Sequence, residues 1–270
     1  DDGHDQTVWR LRGDADVDRS KAMDETSGPL VALIDDLVTA NHILYHQAVL
    51  DSFGHVSARH PDNVGHFLMS RAMAPGLVTA ADIVELDLDG NRVGEGNQSL
   101  YVERFIHSEI YKVRADVHAI VHSHSPTVIP FSITQEPLKP AYHRASFLQA
   151  GVPVFEIRDV AGARNNMLVN DAARGRELAQ VLGSSNVALM RGHGNVVVAP
   201  RLRLAVSRAI ETEVNAKLQL QALMIGGRIN YLTAEEADTI ESELARTKPS
   251  DARGADRVWE VLKRQARPQS

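Results

Sequence analysis

The chain is 270 residues long, 43% hydrophobic and 24% charged, which is typical of a globular protein with a large hydrophobic core. It contains no cysteine, so disulfides and thiolate metal ligands are excluded, and any metal ion would be held by histidine and carboxylate side chains. The net charge of −6 argues against nucleic acid or an anionic membrane surface as the main partner.

Residues 1–27 are polar and carry mixed charge, which predicts an N-terminal arm in front of one folded domain spanning residues 28–270. The arm lacks the basic start and apolar run of a secretory signal. Elsewhere, no apolar run approaches the roughly 18 residues of a membrane-spanning helix. We therefore expect a cytoplasmic protein that does not enter a membrane.

Hydrophobic periodicity predicts helices and strands that do not alternate strictly along the chain. Helices are predicted at about residues 30–50, 104–114, 171–182, 202–225, 233–247 and 254–266. Strands are predicted at about residues 56–59, 67–70, 83–88, 117–124, 152–157, 187–190 and 196–199. This order favours one domain that combines helices with a largely antiparallel sheet.

Two histidines close the predicted strand at residues 117–124. His122 and His124 are two residues apart, so in a strand both side chains point to the same face and can reach one point. Neutral imidazoles suit zinc, iron, manganese or cobalt. Two histidines hydrogen-bonded at a strand end would explain this pair equally well.

A third histidine, His193, lies between two glycines directly after the predicted strand 187–190. Glycine lets the backbone bend sharply and approach closely, which favours a third ligand over a turn histidine without a metal. Glu103 comes just before the predicted helix 104–114, where a carboxylate can also simply face the helix macrodipole. Together the three histidines and Glu103 would form a metal site whose carboxylate can act as a base.

Several segments resemble the class II aldolase and adducin family over about residues 30–227. They read ERFIH at 103–107, RAD at 114–116, AIVHSH at 119–124, RGHG at 191–194 and FGHVS at 53–57. In that family a catalytic glutamate precedes a helix, a buried strand ends in His-x-His, and a later His-Gly supplies the third histidine ligand.

The resemblance implies a single α/β/α domain with a central, mostly antiparallel sheet. It also implies one divalent metal ion per subunit, zinc, manganese or iron, held by His122, His124, His193 and Glu103. A homotetramer with fourfold symmetry and active sites between adjacent subunits is also implied by the resemblance. His143 and Arg144 correspond to a segment that projects into the neighbouring site, so we expect them at a subunit interface, binding substrate in trans. The alternative is an ordinary loop pair.

The chain differs from the sugar-phosphate aldolases of this family in three places. Tyr101 and Val102 stand where those enzymes have two phosphate-binding serines, and His55 replaces an asparagine that helps to bind substrate. Residues 69–75 replace a stretch similar to T-P-S-G. A phosphorylated sugar is therefore not expected as the substrate.

Ser70 and Arg71 lie in the stretch that should line the site, and arginine pairs bidentately with carboxylates. A surface arginine is the alternative. Residues 70–75, together with 103–107, 124–131 and 190–193, look like the subgroup that decarboxylates hydroxylated aromatic or pyridine carboxylates. Ser70, His143 and Arg144 would join Arg71 in binding such a substrate.

This resemblance implies a metal-dependent C–C lyase that decarboxylates a hydroxylated aromatic or heteroaromatic carboxylate, with a small-molecule carboxylate as its partner. Arg71 would orient a carboxylate, and Glu103 or His55 would carry the proton that replaces carbon dioxide. The alternatives are an aldolase acting on a non-phosphorylated substrate, a non-haem iron oxygenase acting on an aromatic hydroxy acid, and a metal-free adducin-like structural module. Retention of three histidines and Glu103 argues against the last of these.

Overall fold

Seven strands form one sheet in the computed structural model of the chain, which describes residues 28–246 and 255–266. The strands are β1 His55–Arg59, β2 His66–Ser70, β3 Ile83–Asp87, β4 Ala119–Ser123, β5 Val154–Phe155, β6 Val187–Met190 and β7 Gly194–Ala199. Their order across the sheet is β3-β2-β1-β4-β7-β6-β5, and every neighbouring pair is antiparallel except β5 and β6. The predicted mostly antiparallel sheet is confirmed. The predicted arm, residues 1–27, lies outside the described residues.

The described helices include the six that were predicted, in the predicted order, and two short helices at Ile129–Ile133 and Arg158–Ala161 that were not predicted. They are α1 Pro29–His46, α2 Arg104–Val113, α3 Ile129–Ile133, α4 Arg158–Ala161, α5 Ala172–Leu182, α6 Leu202–Ile225, α7 Ala234–Arg246 and α8 Ala255–Gln265. Three 3-10 turns are added at Pro75–Leu77, Ala80–Asp82 and His143–Leu148. Among these described helices, none combines the length and apolar character needed to cross a bilayer.

The first helix and the fifth strand are shorter than predicted, each for a local reason. Helix α1 stops at His46 because Ala48 adopts a left-handed backbone with φ of 55°, which cannot continue a right-handed helix. Strand β5 keeps only two of the six residues predicted at 152–157. Pro153 has no backbone N–H to donate to a neighbouring strand, and α4 begins at Arg158. Only Val154 and Phe155 therefore pair with β6.

Alternating residues of the central strands pack into two separate cores, one on each face of the sheet. In β4, Ala119 and Val121 belong to the first core, whereas Ile120 belongs to the second. The first core is covered by α1, α6 and α8, and the second by α2 and α5. The α/β/α layering implied by the family resemblance is therefore confirmed.

The register of the central strands determines which polar side chains meet. β4 lies between β1 and β7, and His55 of β1 is paired directly with His122 of β4. Cross-strand partners point to the same face of a sheet, and the two imidazole rings are 5.0 Å apart. His122 is also two residues from Ile120, so both histidines lie on the α2 and α5 side of the sheet.

Candidate metal centre

Four potential ligands converge where β4 ends. One ligand atom from each of Glu103, His122, His124 and His193 lies within 4.8 Å of every other. The Nε2 atom of His124 is 3.2 Å from that of His122 and 3.1 Å from that of His193. Oε2 of Glu103 is 3.7 Å from His122 Nε2 and 3.5 Å from His193 Nε2. Two ligands about 2.1 Å from one ion lie roughly 3.0–3.5 Å apart, so these spacings suit a single divalent cation.

Three backbone features bring the histidines together. His122 lies in β4 and His124 directly follows the strand, so both side chains point to one face. His193 lies in the turn between β6 and β7, where Gly192 has a φ of 61° that favours glycine. A Cβ atom on Gly194 would lie 2.1 Å from the carbonyl oxygen of Ser123. Close approach of this turn to β4 therefore requires glycine, as the sequence predicted.

The tautomers of two histidines follow from their outer partners. His122 Nδ1 is 3.1 Å from the carbonyl oxygen of Asn195, and His124 Nδ1 is 3.0 Å from Oδ2 of Asp51. Both partner atoms only accept hydrogen bonds, so each Nδ1 carries the hydrogen and each Nε2 has a free lone pair. Burial also holds the pKa of His122 well below its usual range, which keeps that ring neutral.

The two free Nε2 lone pairs face each other at 3.2 Å, where neither nitrogen has a hydrogen to donate. This contact is repulsive on its own, whereas a cation bound by both nitrogens makes it favourable. The residues present therefore fit a metal ion.

Glu103 brings an ionised carboxylate into this cluster. It is the N-cap residue of α2 and is buried. Oε1 accepts a hydrogen bond of 2.8 Å from the N–H of Val169, which leaves Oε2 toward the histidines. Burial raises the pKa of Glu103, but His193, His122 and the Val169 N–H together lower it to about 2.

The ring of His55 packs against that of His122, with ring centroids 5.0 Å apart. His55 also begins a row of buried polar side chains. Its Nδ1 is 2.6 Å from Nε2 of His107. Ser57 Oγ is 2.6 Å from Nδ1 of His107 and 2.8 Å from the hydroxyl of Tyr111. His107, Ser57 and Tyr111 were not predicted as functional residues, although the spacing of two of them indicates a shared helix face with Glu103. Glu103, His107 and Tyr111 are four residues apart on one helix face.

Asp51 is a further residue of the site that was not predicted from the sequence. Its Oδ1 accepts hydrogen bonds from the backbone N–H groups of Phe53 and Gly54, both at 2.8 Å. These bonds hold the carboxylate so that Oδ2 reaches His124. Carboxylates in this position orient metal-binding imidazoles and raise their basicity.

Ser70 and Arg71 do not contact the four ligands in the described part of the chain. Ser70 is buried at the end of β2. Arg71 donates from Nε to Oδ1 of Asp82 at 2.7 Å, and its backbone N–H donates to the Asp82 carbonyl. The described residues place no acceptor on its two terminal amino groups. Arg71 is therefore anchored through one nitrogen and keeps two free.

His143 and Arg144 are exposed and are not among the four clustered ligand residues. They begin the 3-10 segment His143–Leu148. Arg144 pairs with the carboxylate of Glu211 on α6, which also accepts a hydrogen bond from the hydroxyl of Tyr142. Within one chain these two residues do not complete the site.

Comparisons with known proteins agree with this geometry. The sequence profile of the Class II Aldolase and Adducin N-terminal domain matches residues 35–220. The chain belongs to the class II aldolase and adducin family. It is 34% identical over 243 residues to Decarboxylase tropJ of Talaromyces stipitatus, covering 84% of this chain and 91% of that protein.

Two further proteins are similar to this member of the class II aldolase family. It is 29% identical over 227 residues to 3,4-dihydroxyphthalate decarboxylase of Arthrobacter keyseri, covering 78% of this chain and 87% of that protein. The structure of L-fuculose 1-phosphate aldolase from Glaciozyma antarctica matches with a TM-score of 0.71 at 23% identity, covering 87% of this chain and 90% of that one. That likeness shows the shared fold. The family resemblance predicted from the sequence is thereby confirmed.

Zinc should stabilise the wild-type protein and should not stabilise His193→Ala to the same extent. A ligand at 100 times its Kd adds about 2.7 kcal/mol of stability, which corresponds to a Tm increase of several degrees for a chain of this size. His118→Ala, which removes an exposed histidine outside the cluster, is the matched control and should keep the full increase. The measurements are thermal unfolding with chelator or zinc and metal content by elemental analysis. Equal zinc stabilisation of wild type and His193→Ala would contradict the metal centre.

Proposed function

We propose that this protein is a metal-dependent lyase that decarboxylates a hydroxylated aromatic or heteroaromatic carboxylate, with residues 28–270 as its catalytic domain. The observation that carries the proposal is the convergence of Glu103 and three imidazoles on one point. Two relatives that align with more than three quarters of the chain are named as decarboxylases, one of them for a dihydroxyphthalate. These relatives favour decarboxylation over the aldolase, oxygenase and structural alternatives.

The reaction breaks the bond between a ring carbon and its carboxylate, and the electron pair stays on the ring carbon until a proton arrives. A divalent ion, zinc, manganese or iron, held by His122, His124, His193 and Glu103, would act as a Lewis acid on a neighbouring substrate oxygen. Glu103 is placed to hold or move the proton, because its Oε2 faces the site while Oε1 is fixed by the Val169 N–H.

Arg71 supplies the second charge that an aromatic dicarboxylate or hydroxy acid requires. Asp82 holds its Nε, so the guanidinium is oriented while two terminal amino groups stay free for a carboxylate. Ser70 precedes it at the end of β2 and is the second substrate-binding candidate on this side.

Tyr101 argues against a phosphate pocket in the same region. Its hydroxyl donates to the carbonyl of Met73, and its ring lies 4.6 Å from that of His55. The hydroxyl is therefore engaged with the backbone, and the ring supplies an apolar edge instead. Val102, the next residue, has no hydrogen-bonding side chain. A planar aromatic acid suits these surroundings better than a sugar phosphate.

We also propose that four chains assemble so that His143 and Arg144 bind substrate at a neighbouring site. Both side chains are exposed in the single chain. Met224 and Ile225 at the end of α6 are 86% and 85% exposed, which supports the presence of a protein interface at that end of the helix.

The products distinguish the proposal from its alternatives. The metal-loaded enzyme, incubated with a panel of hydroxylated phthalates and pyridine carboxylates, should release one carbon dioxide per substrate consumed, without uptake of dioxygen. His122→Ala, which removes one ligand, is the inactive control. Oxygen consumption that matches substrate loss would replace the proposal with an oxygenase, and release of an aldehyde from a non-phosphorylated aldol would replace it with an aldolase.

Arg71→Ala should lower kcat/KM for the carboxylate substrate by about thirtyfold or more, because a lost charge pair costs on the order of 2–5 kcal/mol. Arg71→Lys should recover only part of the loss, since an ammonium group cannot form the bidentate contact. Metal content should be unchanged in both variants. Arg201→Ala, an exposed arginine at the start of α6, is the matched control. Wild-type activity of Arg71→Ala would remove Arg71 from the site.

Mixing two inactive variants tests whether Arg144 acts in trans. His122→Ala lacks a metal ligand and Arg144→Ala lacks the exposed arginine, and each alone should have low activity. After the subunits are exchanged, some sites would combine an intact metal centre with an intact Arg144 from the neighbour, and activity should rise. Light scattering should give four times the 29.6 kDa mass of one chain. A monomer at micromolar concentration, or no recovery after exchange, would contradict the trans arrangement.

A further inference from the structure

A continuous row of four buried side chains leads away from the metal centre. It runs from His55 through His107 and Ser57 to Tyr111, with contacts of 2.6, 2.6 and 2.8 Å. None of the four is more than 2% exposed. A row of this kind has a direction, because every hydroxyl and every neutral imidazole in it donates on one side and accepts on the other.

The row consists of two pairs of residues, one pair on a strand and one pair on a helix. His55 and Ser57 are two residues apart and share one face of β1. His107 and Tyr111 are four residues apart and share one face of α2, one turn after Glu103. Packing α2 on β1 thus interleaves the two pairs and connects them to the metal centre.

The direction of the row is determined at its far end. Tyr111 has one hydroxyl hydrogen, and in the described residues the only hydrogen-bond partner of that hydroxyl is Ser57. Arg59 lies over the Tyr111 ring, but its nitrogens donate to backbone carbonyls and not to the hydroxyl. Tyr111 must therefore donate to Ser57, because the opposite direction would bury its hydrogen without an acceptor.

The remaining hydrogens follow in order. Ser57 has accepted from Tyr111 and donates to Nδ1 of His107, so the hydrogen of neutral His107 is on Nε2. That N–H donates to Nδ1 of His55, and the hydrogen of neutral His55 is then on Nε2. In each of these two rings Nδ1 accepts a hydrogen bond and therefore carries no hydrogen, so both rings are neutral.

We propose that Tyr111, Ser57 and His107 fix His55 as the Nε2–H tautomer, so that His55 gives the site a hydrogen-bond donor for an anionic substrate oxygen. In this arrangement His55 is a substrate-binding donor, and Tyr111, Ser57 and His107 are positioning residues. The Nε2 atom of His55 has no partner among the described residues, and its ring lies between those of His107 and His122.

This assignment divides two roles that the sequence left open between His55 and Glu103. A neutral imidazole that donates a hydrogen bond from Nε2 is a poor proton carrier, because loss of that proton would leave an imidazolate. The anion-binding role of His55 rests on the proposed function, and it leaves the proton to Glu103. The tautomer itself does not depend on which substrate is correct.

The tautomer can be measured without substrate. We would record ¹⁵N NMR spectra of the zinc-loaded protein labelled in its histidine rings and assign His55 by its loss in His55→Gln. The expected wild-type result is a protonated Nε2 and an unprotonated Nδ1. A protonated Nδ1 on His55 would overturn the proposal, whatever reaction the enzyme catalyses.

Variants then test the chain. Ser57→Ala removes the hydroxyl that donates to Nδ1 of His107, and His55 should then show a mixture of both tautomers. Ser57→Thr keeps the hydroxyl and should restore the wild-type tautomer. Tyr231→Phe, which removes a hydroxyl hydrogen-bonded at Gln219 and Glu136, is the matched control. An unchanged spectrum of Ser57→Ala would overturn the positioning role.

Kinetics connect the tautomer to the reaction. Once a substrate is known, Ser57→Ala should raise KM for it by about tenfold, the effect of weakening one hydrogen bond to a charged group, with a smaller change in kcat. A merely structural defect would instead lower the amount of active enzyme and leave KM unchanged. An altered tautomer with unchanged KM would separate His55 from substrate binding.

Discussion

The in-register pairing of β4 between β1 and β7 is the constraint on which the site depends. It places His55 directly opposite His122 and brings the turn that carries His193 against the end of β4. Because strand side chains alternate between faces, a slip of one residue would move His122 into the opposite core and separate the ligands. The two apolar cores oppose such a slip, since each strand would then present its polar residues to the wrong layer.

The candidate metal centre contains imidazole lone pairs and a buried negative charge that the surrounding residues do not fully compensate. A bound cation would compensate them. Asp51 and the Asn195 carbonyl each fix an imidazole with its free lone pair directed inward. Glu103 adds a buried negative charge that has one backbone donor of its own. Buried charges and lone pairs cost free energy unless they are paired. A divalent ion would pair with all four groups at once, and the outer contacts that create the cost would also make its binding specific.

The sequence predicted the parts of the site that local periodicity and short motifs encode. His122 and His124 follow from the two-residue period of a strand, and the close turn at His193 follows from its flanking glycines. Asp51 and Tyr111 depend on how α1 and α2 pack against the sheet, which no single segment specifies. Arg71 shows the same limit, because pairing with Asp82 emerges only when β2 and the following turn come together.

The same four ligands are compatible with more than one C–C bond cleavage, so substrate choice must lie in the residues around them. In this chain that surrounding layer is made of imidazole and phenol groups, because His55 lies against both Tyr101 and His107. Tyr101 uses its hydroxyl on the backbone, so its ring contributes flat apolar surface. Such a layer offers few donors, each in a fixed direction. It discriminates by shape and by the position of a few hydrogens, which suits a rigid planar acid better than a flexible polyol.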